Sequence, residues 1–402
     1  MRKIVYLPTF FQPEYSDYYY SHQKNGENLS ASTFSLSICK GLCDVTKNLQ
    51  VINIPPIGQY PLNYDRLSSI GGRTEIKGVE VYSLRYSSLY LYQHYSLYWN
   101  LKRLLAKQID VNGQYVFIFY ATIEPKIIQA TFDFCEQKKI DAKYVLIIPD
   151  FVEDINENGS WRQRLKSRLY HEQLDAIYKK MDGFVFLTDS MKERIPVVRP
   201  YVVVEGMYDT SVDRKKYESK DGLKRIFYSG MLHEKFGVKK LIDAFLQLKD
   251  ESLRLVLCGS GDQEEYIKTC ATSDNRIQFM GVVPHDKVLE MQSEVFLLVN
   301  PRSSEGAFTK FSFPSKTMEY LASGTPTLIY QLEGIPKEYY DYCFSIKVMQ
   351  QDPDALSQAI KKICSMDEAV LKEKAEMAKA FIYKNKSATA QCSKIIDLVN
   401  RI

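Results

Sequence analysis

Two doubly wound α/β halves, each a parallel sheet covered by helices and facing a common cleft, form the fold class this sequence predicts. Three observations carry that expectation. Short apolar runs that read as strands alternate with amphipathic helical patterns, as parallel sheets with crossover helices require. The 402 residues exceed one ordinary core, so two domains of about 200 residues are expected. The strand and helix pattern also restarts after 209–222, DTSVDRKKYESKDG, a charged stretch with no apolar periodicity that reads as a linker.

In chain order, Lys3–Leu7 reads as the first strand and Pro8–Gly26 as a loop carrying Phe10, Phe11, Tyr15, Tyr18, Tyr19, Tyr20 and His22. A loop after a strand lies at the carboxyl edge of the sheet, where ligands bind in open α/β folds. Asn28–Leu42 reads as a helix. Leu49–Ile54, Val79–Leu84, Tyr115–Tyr120, Tyr144–Ile148, Gly183–Leu187 and Tyr201–Val204 are strand candidates, with a helix over Glu124–Lys138 between two of them. Asp150 follows the strand ending at Ile148, so it can either hydrogen-bond a ligand hydroxyl, accept its proton, or cap the next segment. Asp189 and Ser190 read as a helix cap, and Glu205–Gly206 ends the last strand of this half.

Two inserts stand out. Tyr82–Lys107 holds Tyr82, Tyr86, Tyr90, Tyr92, Tyr95, Tyr98 and Trp99, followed by Lys102, Arg103 and Lys107. Amphipathic aromatics beside basic residues fit an anionic membrane surface, and they equally fit a tyrosine-rich packing helix. Trp161–Lys180 reads as a solvated, charged helix.

In the second half, Arg225–Ser229 reads as a strand and Val238–Leu248 as its helix, then Leu253–Leu257 and Arg276–Met280 as strands. Asp286–Ser293 is a helix pattern, Val295–Val299 a buried strand, Thr317–Ala322 a short helix stopped by Ser323-Gly324, and Pro326–Tyr330 the next strand. Asp352–Cys364, Ala369–Tyr383 and Ser387–Ile402 read as amphipathic helices.

Composition narrows the classes. A formal net charge of +4 argues against a dedicated nucleic-acid binder. The eight cysteines form no CxxC pair, so reduced thiols and no metal site are expected. The chain opens directly on a strand, without a secretory pattern, and no apolar run approaches the ~20 residues that span a bilayer. A cytoplasmic protein is expected, with contact to the inner face of the membrane left open.

Chemistry concentrates at the turns of the second half. Gly259-Ser260-Gly261-Asp262 follows a strand and precedes a helix but lacks the third glycine of a dinucleotide fingerprint. Its glycines allow close backbone approach to a ligand or a tight turn. Ser229–Gly237, SGMLHEKFG, offers Lys235 between two glycines, suited to neutralising phosphate. Phe313-Pro314-Ser315-Lys316 opens the helix Thr317–Ala322, whose free N–H groups can hold an anion, with Lys316 in the first turn and Glu319 a turn further.

The ordered set Gly230…Lys235-Phe236-Gly237, Gly259-Ser260-Gly261-Asp262, Gly281-Val282-Val283 and Phe313 to Pro326 resembles glycosyltransferase family 4, the group 1 retaining enzymes of GT-B fold, in its bacterial FPSK-type members. The resemblance is close over 224–345 and elsewhere rests on element order. It implies two Rossmann-like domains, acceptor-binding at 1–208 and nucleotide-sugar-binding at 223–385, with a closing helix at 386–402 expected to pack back towards the first. It implies that Lys235 contacts the donor diphosphate, that Gly281, Val282 and Val283 lie against the base, and that Gly230, Gly259 and Gly261 line the donor site. Phe313, Pro314, Ser315, Lys316 and Thr317 would present amides and charge to phosphates and sugar, and Glu319 would hold the ribose hydroxyls. Lys235 and Glu319, with Asp150 from its place after the strand ending at Ile148, are the expected catalytic set. The chain departs from the pattern at Phe311, eight positions before Glu319 where the family has a glutamate, and at Met231 where it has an arginine; Glu305 is the nearest substitute acid.

The function implied is transfer of a sugar from a nucleotide donor, a UDP-sugar foremost, without a metal or other cofactor, to a cell-surface saccharide or lipid-linked acceptor. Phe10, Phe11, Tyr15, Tyr18 and Asp150 would receive that acceptor, and 82–107 would meet an anionic membrane surface. Three other readings stay open: a catalytically silent partner subunit of the same fold, a nucleotide-sugar epimerase and a dehydrogenase.

Overall fold

The computed structural model describes residues 2–24, 29–120, 125–151, 161–210, 221–303, 307–347 and 353–402. Asn28, Glu124, Glu305 and most of the 209–222 stretch lie outside them. The chain divides into two compact units, Met1–Met207 with Ala388–Ile402, and Tyr208–Ser387.

In chain order the first unit contributes β1 (Lys3–Leu7), α1 (Ser16–His22), α2 (Leu29–Val45), β2 (Leu49–Asn53), β3 (Gly72–Ile76), β4 (Val79–Ser83), α3 (Gln93–Gln108), β5 (Gln114–Tyr120), α4 (Pro125–Lys138), β6 (Asp141–Ile148), α5 (Trp161–Lys180), β7 (Gly183–Phe186) and β8 (Tyr201–Val203). The second holds β9 (Lys224–Ser229), α6 (Val238–Leu246), β10 (Leu253–Cys258), α7 (Glu264–Ser273), β11 (Ile277–Phe279), α8 (His285–Glu294), β12 (Leu297–Asn300), α9 (Ser315–Ala322), β13 (Thr327–Tyr330), β14 (Phe344–Ile346), α10 (Pro353–Cys364) and α11 (Glu368–Asn385). The last helix, α12 (Ala388–Arg401), belongs to the first unit.

The first sheet runs β3-β4-β2-β1-β5-β6-β7-β8 and the second β11-β10-β9-β12-β13-β14. All pairings are parallel except β3 with β4. The central strands β5, β7, β12 and β13 are buried almost end to end, as sheets covered on both faces demand.

Four elements differ from the sequence expectation. The antiparallel edge strand β3, GRTEI, is too polar to announce itself; the two-residue turn Lys77-Gly78, both at positive φ, joins it to β4. β14 is only three residues long. Within the expected Pro8–Gly26 loop, Ser16–His22 is helical because Tyr19, fully buried, stacks on Phe11 at 4.7 Å. β12 starts at Leu297 rather than Val295, its register fixed by Leu297 opposite Ile226 on β9.

Tyrosine is a core residue here. Tyr6, Tyr19, Tyr64, Tyr115, Tyr120, Tyr320, Tyr330 and Tyr339 are among the largest fully buried side chains. All eight cysteines are free thiols and all but Cys364 are buried. No helix among the described residues is long and apolar enough to cross a membrane.

Helix α12 closes the first unit against α2. Cys392 is buried and faces the Ile38 carbonyl at 3.4 Å, and Gln391 donates to Glu205 at 3.1 Å and to the Gly206 carbonyl at 3.0 Å. The contact needs Gly41: a Cβ there would lie 2.5 Å from the Ala388 carbonyl oxygen and 2.6 Å from the Cys392 sulfur. Gly41→Val therefore overpacks the α2–α12 seam and is expected to cost about 1–3 kcal/mol, read as a lowered urea midpoint with unchanged slope. An unchanged midpoint would show that the seam yields without cost.

Candidate functional site

In the second unit the strand order reverses between β9 and β12, and ligands in open α/β sheets bind outside the carboxyl ends of the strands at such a point. The loops leaving β9, β10 and β11 are laced together there by backbone bonds. Gly230 N–H donates to the Cys258 carbonyl at 3.0 Å, Gly259 N–H to Gly281 at 2.7 Å, and Leu232 N–H to Ser260 at 2.8 Å. A Cβ on Gly259 would sit 1.8 Å from the Gly230 oxygen, and one on Gly261 2.4 Å from the Leu232 oxygen. The glycines of the GSGD turn thus serve loop-on-loop packing, and φ of +135° at Gly259 excludes a side chain independently. Gly237 is similar, with the Pro301 oxygen 2.0 Å from its virtual Cβ.

Helix α9 is clamped onto this edge. Tyr320 is fully buried, and its hydroxyl accepts the Ser229 N–H at 3.0 Å and lies 3.3 Å from the Ser229 carbonyl. Burial pushes its phenol well above the ordinary value. Asn300, at the end of β12, donates to buried Thr317 at 3.3 Å. These bonds leave the opposite side of the first turn at the edge: Ser315 is exposed, Lys316 and Glu319 are half-buried, and Lys316 Nζ lies 3.2 Å from Glu319 Oε2. The Lys316 Cε is 3.8 Å from where a Cβ on Gly230 would be, so Gly230, Lys316 and Glu319 form one group. Pro314 is buried, and the Phe313 ring turns into the core 5.3 Å from that of Tyr339, so these two can offer a ligand little beyond their backbone.

A second group lies on the loop after β9. Lys235 is exposed, its Nζ 5.2 Å from the Phe236 ring, and Arg302 covers the same ring at 5.8 Å. Arg302 also lowers the Tyr228 phenol, which burial otherwise raises strongly, and Tyr228 donates to the Met231 carbonyl at 3.0 Å. The sequence reading passed over Arg302; its only signal was a basic residue just beyond Pro301, at the end of a central strand. His233 stands 3.0 Å from Asp262 and holds that carboxyl below its usual range. Gly281, at φ +64°, has open space around it; Val282 is exposed and Val283 packs on the cluster around Val256 and Tyr320.

In the first unit the order reverses between β1 and β5. Phe10 and Phe11 are core residues at 0% and 5% exposure. The Asn53 side chain brackets the Phe10 backbone, accepting at 3.1 Å and donating at 3.0 Å. Tyr15 is half-buried and Tyr18 exposed, so of the four aromatic candidates these two reach the surface. Asp150 is exposed beyond β6, close enough to buried Tyr120 to reinforce the rise that burial gives that phenol. Tyr120, read in the sequence only as a strand residue, ends β5 beside the reversal point.

Residues 209–388, nearly all of the second unit, match the family described as Glycosyl transferases group 1. The chain is 24% identical over 156 residues to the uncharacterised glycosyltransferase MJ1607 of Methanocaldococcus jannaschii; that stretch is 38% of this chain and 38% of the relative. Its structure is similar to a sucrose-phosphate synthase of Thermosynechococcus elongatus, with a TM-score of 0.59 at 13% identity, covering 100% of this chain and 99% of the other. HepE of Anabaena, solved in complex with UDP-glucose, aligns with a TM-score of 0.60 at 12% identity and full coverage of both chains. At such identities the likeness is one of fold, and the fold is GT-B.

Tyr320→Phe removes the acceptor of the Ser229 N–H inside a buried setting and is expected to cost about 1–3 kcal/mol in urea unfolding. A variant as stable as the parent would show that α9 is held without that bond.

Proposed function

We propose that this chain is a retaining glycosyltransferase that moves a sugar from a UDP-sugar to a saccharide or lipid-linked acceptor. The observation that carries the reading is the group formed by Gly230, Lys316 and Glu319 at the strand reversal of a unit that matches the group 1 family. The UDP-glucose bound by the similarly folded HepE favours a uridine donor.

In this reading the bond from the sugar's anomeric carbon to the diphosphate oxygen breaks as the acceptor oxygen bonds that carbon on the same face. The acceptor proton passes to the departing phosphate oxygen. A leaving diphosphate calls for positive charge and aligned N–H groups more than for a strong base. Lys316 and Lys235 supply the charge, Arg302 reinforces it beside Phe236, and the exposed turn at Ser315 supplies amides. Glu319 orients the ribose hydroxyls, and its contact with Lys316 keeps both side chains at the edge before the donor arrives. Gly230, Gly259 and Gly261 hold the loops that shape the donor site, and Gly281 with Val282 and Val283 lies along the base. Asp150 orients the acceptor hydroxyl in the first unit, with Tyr15 and Tyr18 beside it. A lipid-linked acceptor brings the enzyme to the inner membrane surface, which the aromatic and basic segment 82–107 would meet in cell-surface polysaccharide assembly.

Release of UDP or GDP across a panel of nucleotide-sugars, with and without lipid extract, tests the activity. Glu319→Ala and Lys235→Ala are each expected to lower UDP release by about a hundredfold, the scale of losing one stabilising contact to developing charge. Parent-level turnover in both variants overturns the site assignment. No release with any donor favours the silent partner.

A further inference from the structure

Helix α3 and the turn before it lie within the segment that the proposed function brings to a membrane, and the structure gives that contact a specific chemistry. From Val81 to Ile109 the sequence contains no Asp or Glu but does contain Arg85, Lys102, Arg103 and Lys107. The structure sorts this segment into three faces. Leu97, Leu101 and Leu105 are buried in the unit. Ser96, Asn100, Arg103 and Lys107, spaced at three and four residues and therefore on one side of the helix, line an open pocket of about 430 Å³ together with Ser83, Arg85 and Tyr92. Next to that row, Tyr92, Tyr95 and Trp99 form an exposed aromatic stripe at 51%, 56% and 43% exposure, with ring centroids 5.4 and 6.2 Å apart in sequence order. Leu91, at the start of the helix, is 87% exposed.

The pocket lining includes three cations and no carboxylate. Asn100 organises two of them: its Nδ2 donates to the Arg85 carbonyl at 3.0 Å and its Oδ1 accepts from Arg103 at 3.3 Å. Three positive groups around a concavity, without an acid to neutralise them, call for an anion with several acceptor oxygens, and guanidinium forks suit phosphate in particular. The neighbouring stripe is built from Tyr and Trp, which favour the boundary between an apolar and a wet phase, and Lys102 lies over the Trp99 ring at 5.5 Å with its charge at the stripe's margin. A soluble anion accounts for the pocket alone. A lipid accounts for both faces at once.

We propose that this face binds an anionic phospholipid surface, with the headgroup phosphate held by Arg85, Arg103 and Lys107 while Tyr92, Tyr95 and Trp99 settle among the headgroups. It deepens the lipid-linked part of the proposed function by naming the membrane contact and its chemistry, and it rests on that reading only for its purpose.

Vesicle co-sedimentation of the full chain tests it. Phosphatidylcholine vesicles containing phosphatidylglycerol should bind the protein, and pure phosphatidylcholine vesicles should bind it weakly. Changing Arg85, Arg103 and Lys107 together to Gln should weaken binding about a hundredfold, from the roughly fivefold each basic residue contributes near an anionic surface. Changing Tyr92, Tyr95 and Trp99 to Ala should weaken it independently. The charge-matched variant Lys361→Gln, Lys362→Gln, Lys372→Gln, in exposed positions of α10 and α11, should bind as the parent does. Equal losses in the two charge variants would reduce the effect to net charge and overturn the site. Equal binding to vesicles carrying fatty-acid carboxylates at matched surface potential would overturn phosphate recognition. Binding of soluble glycerol phosphate by the pocket without vesicle binding would overturn the lipid. Thermal melting confirms that each variant is folded, and UDP binding measured in parallel separates loss of the membrane face from failure of the glycosyltransferase reading, since the donor groups lie in the second unit.

Discussion

An oxygen where a side chain would begin is the constraint on which the second unit depends. The Gly230 carbonyl occupies the space of a Cβ on Gly259, and the Pro301 carbonyl does the same for Gly237. Two strand tips and the end of a third are thereby brought closer than any side chain permits. Only with the β9 tip so placed can Tyr320 reach the Ser229 backbone and seat α9, and only with α9 seated does Lys316 lie over Gly230. Glycine spacing, helix position and charge placement form a single chain of dependence.

The carboxyl edges of the two sheets are furnished differently. That of the second unit presents ionic groups on a short helix and a tight turn, where fixed dipoles and lysines meet charge. That of the first unit is aromatic and largely buried around Phe10, Phe11 and Tyr19, with Asp150 exposed near Tyr120. An edge of the first kind suits a phosphorylated donor. One of the second kind suits a partner recognised by shape and a few hydroxyl contacts.

Much of this was legible from residue patterns, for physical reasons. Apolar runs such as YVFIFY and VFLLV are too short for helices and rich in aromatic and β-branched residues, which reads as central strands of a doubly covered sheet, so the fold class followed from them. The FPSK turn announced a helix start at the strand edge, since Pro and Ser favour helix N-termini and Ser323-Gly324 stops the helix. What stayed hidden depended on partners remote in sequence. The burial of Phe10 and Phe11 is set by Asn53 and Tyr19. Arg302 stands over the ring of Phe236, a partner remote in sequence. The edge strand β3 is defined by a positive-φ turn after it rather than by its own composition. Loop glycines were ambiguous between ligand approach and packing, since both ask for the same missing atom.

The return of α12 to the first unit bears on how the protein is made. Synthesis runs from the amino end, and domains generally fold as units once their sequence has emerged. The β1-to-β8 sheet is complete by residue 203, yet the α2 face that receives Cys392 and the Glu205 carboxylate that receives Gln391 wait for Ala388–Ile402, beyond the whole of the second unit. The intervening unit, Tyr208–Ser387, is contiguous in sequence and is fully synthesised before Ala388 is reached. The first unit is therefore begun before the second and completed after it, its apolar α2 surface uncovered until α12 arrives. A nascent chain carries that exposure until α12 has been made.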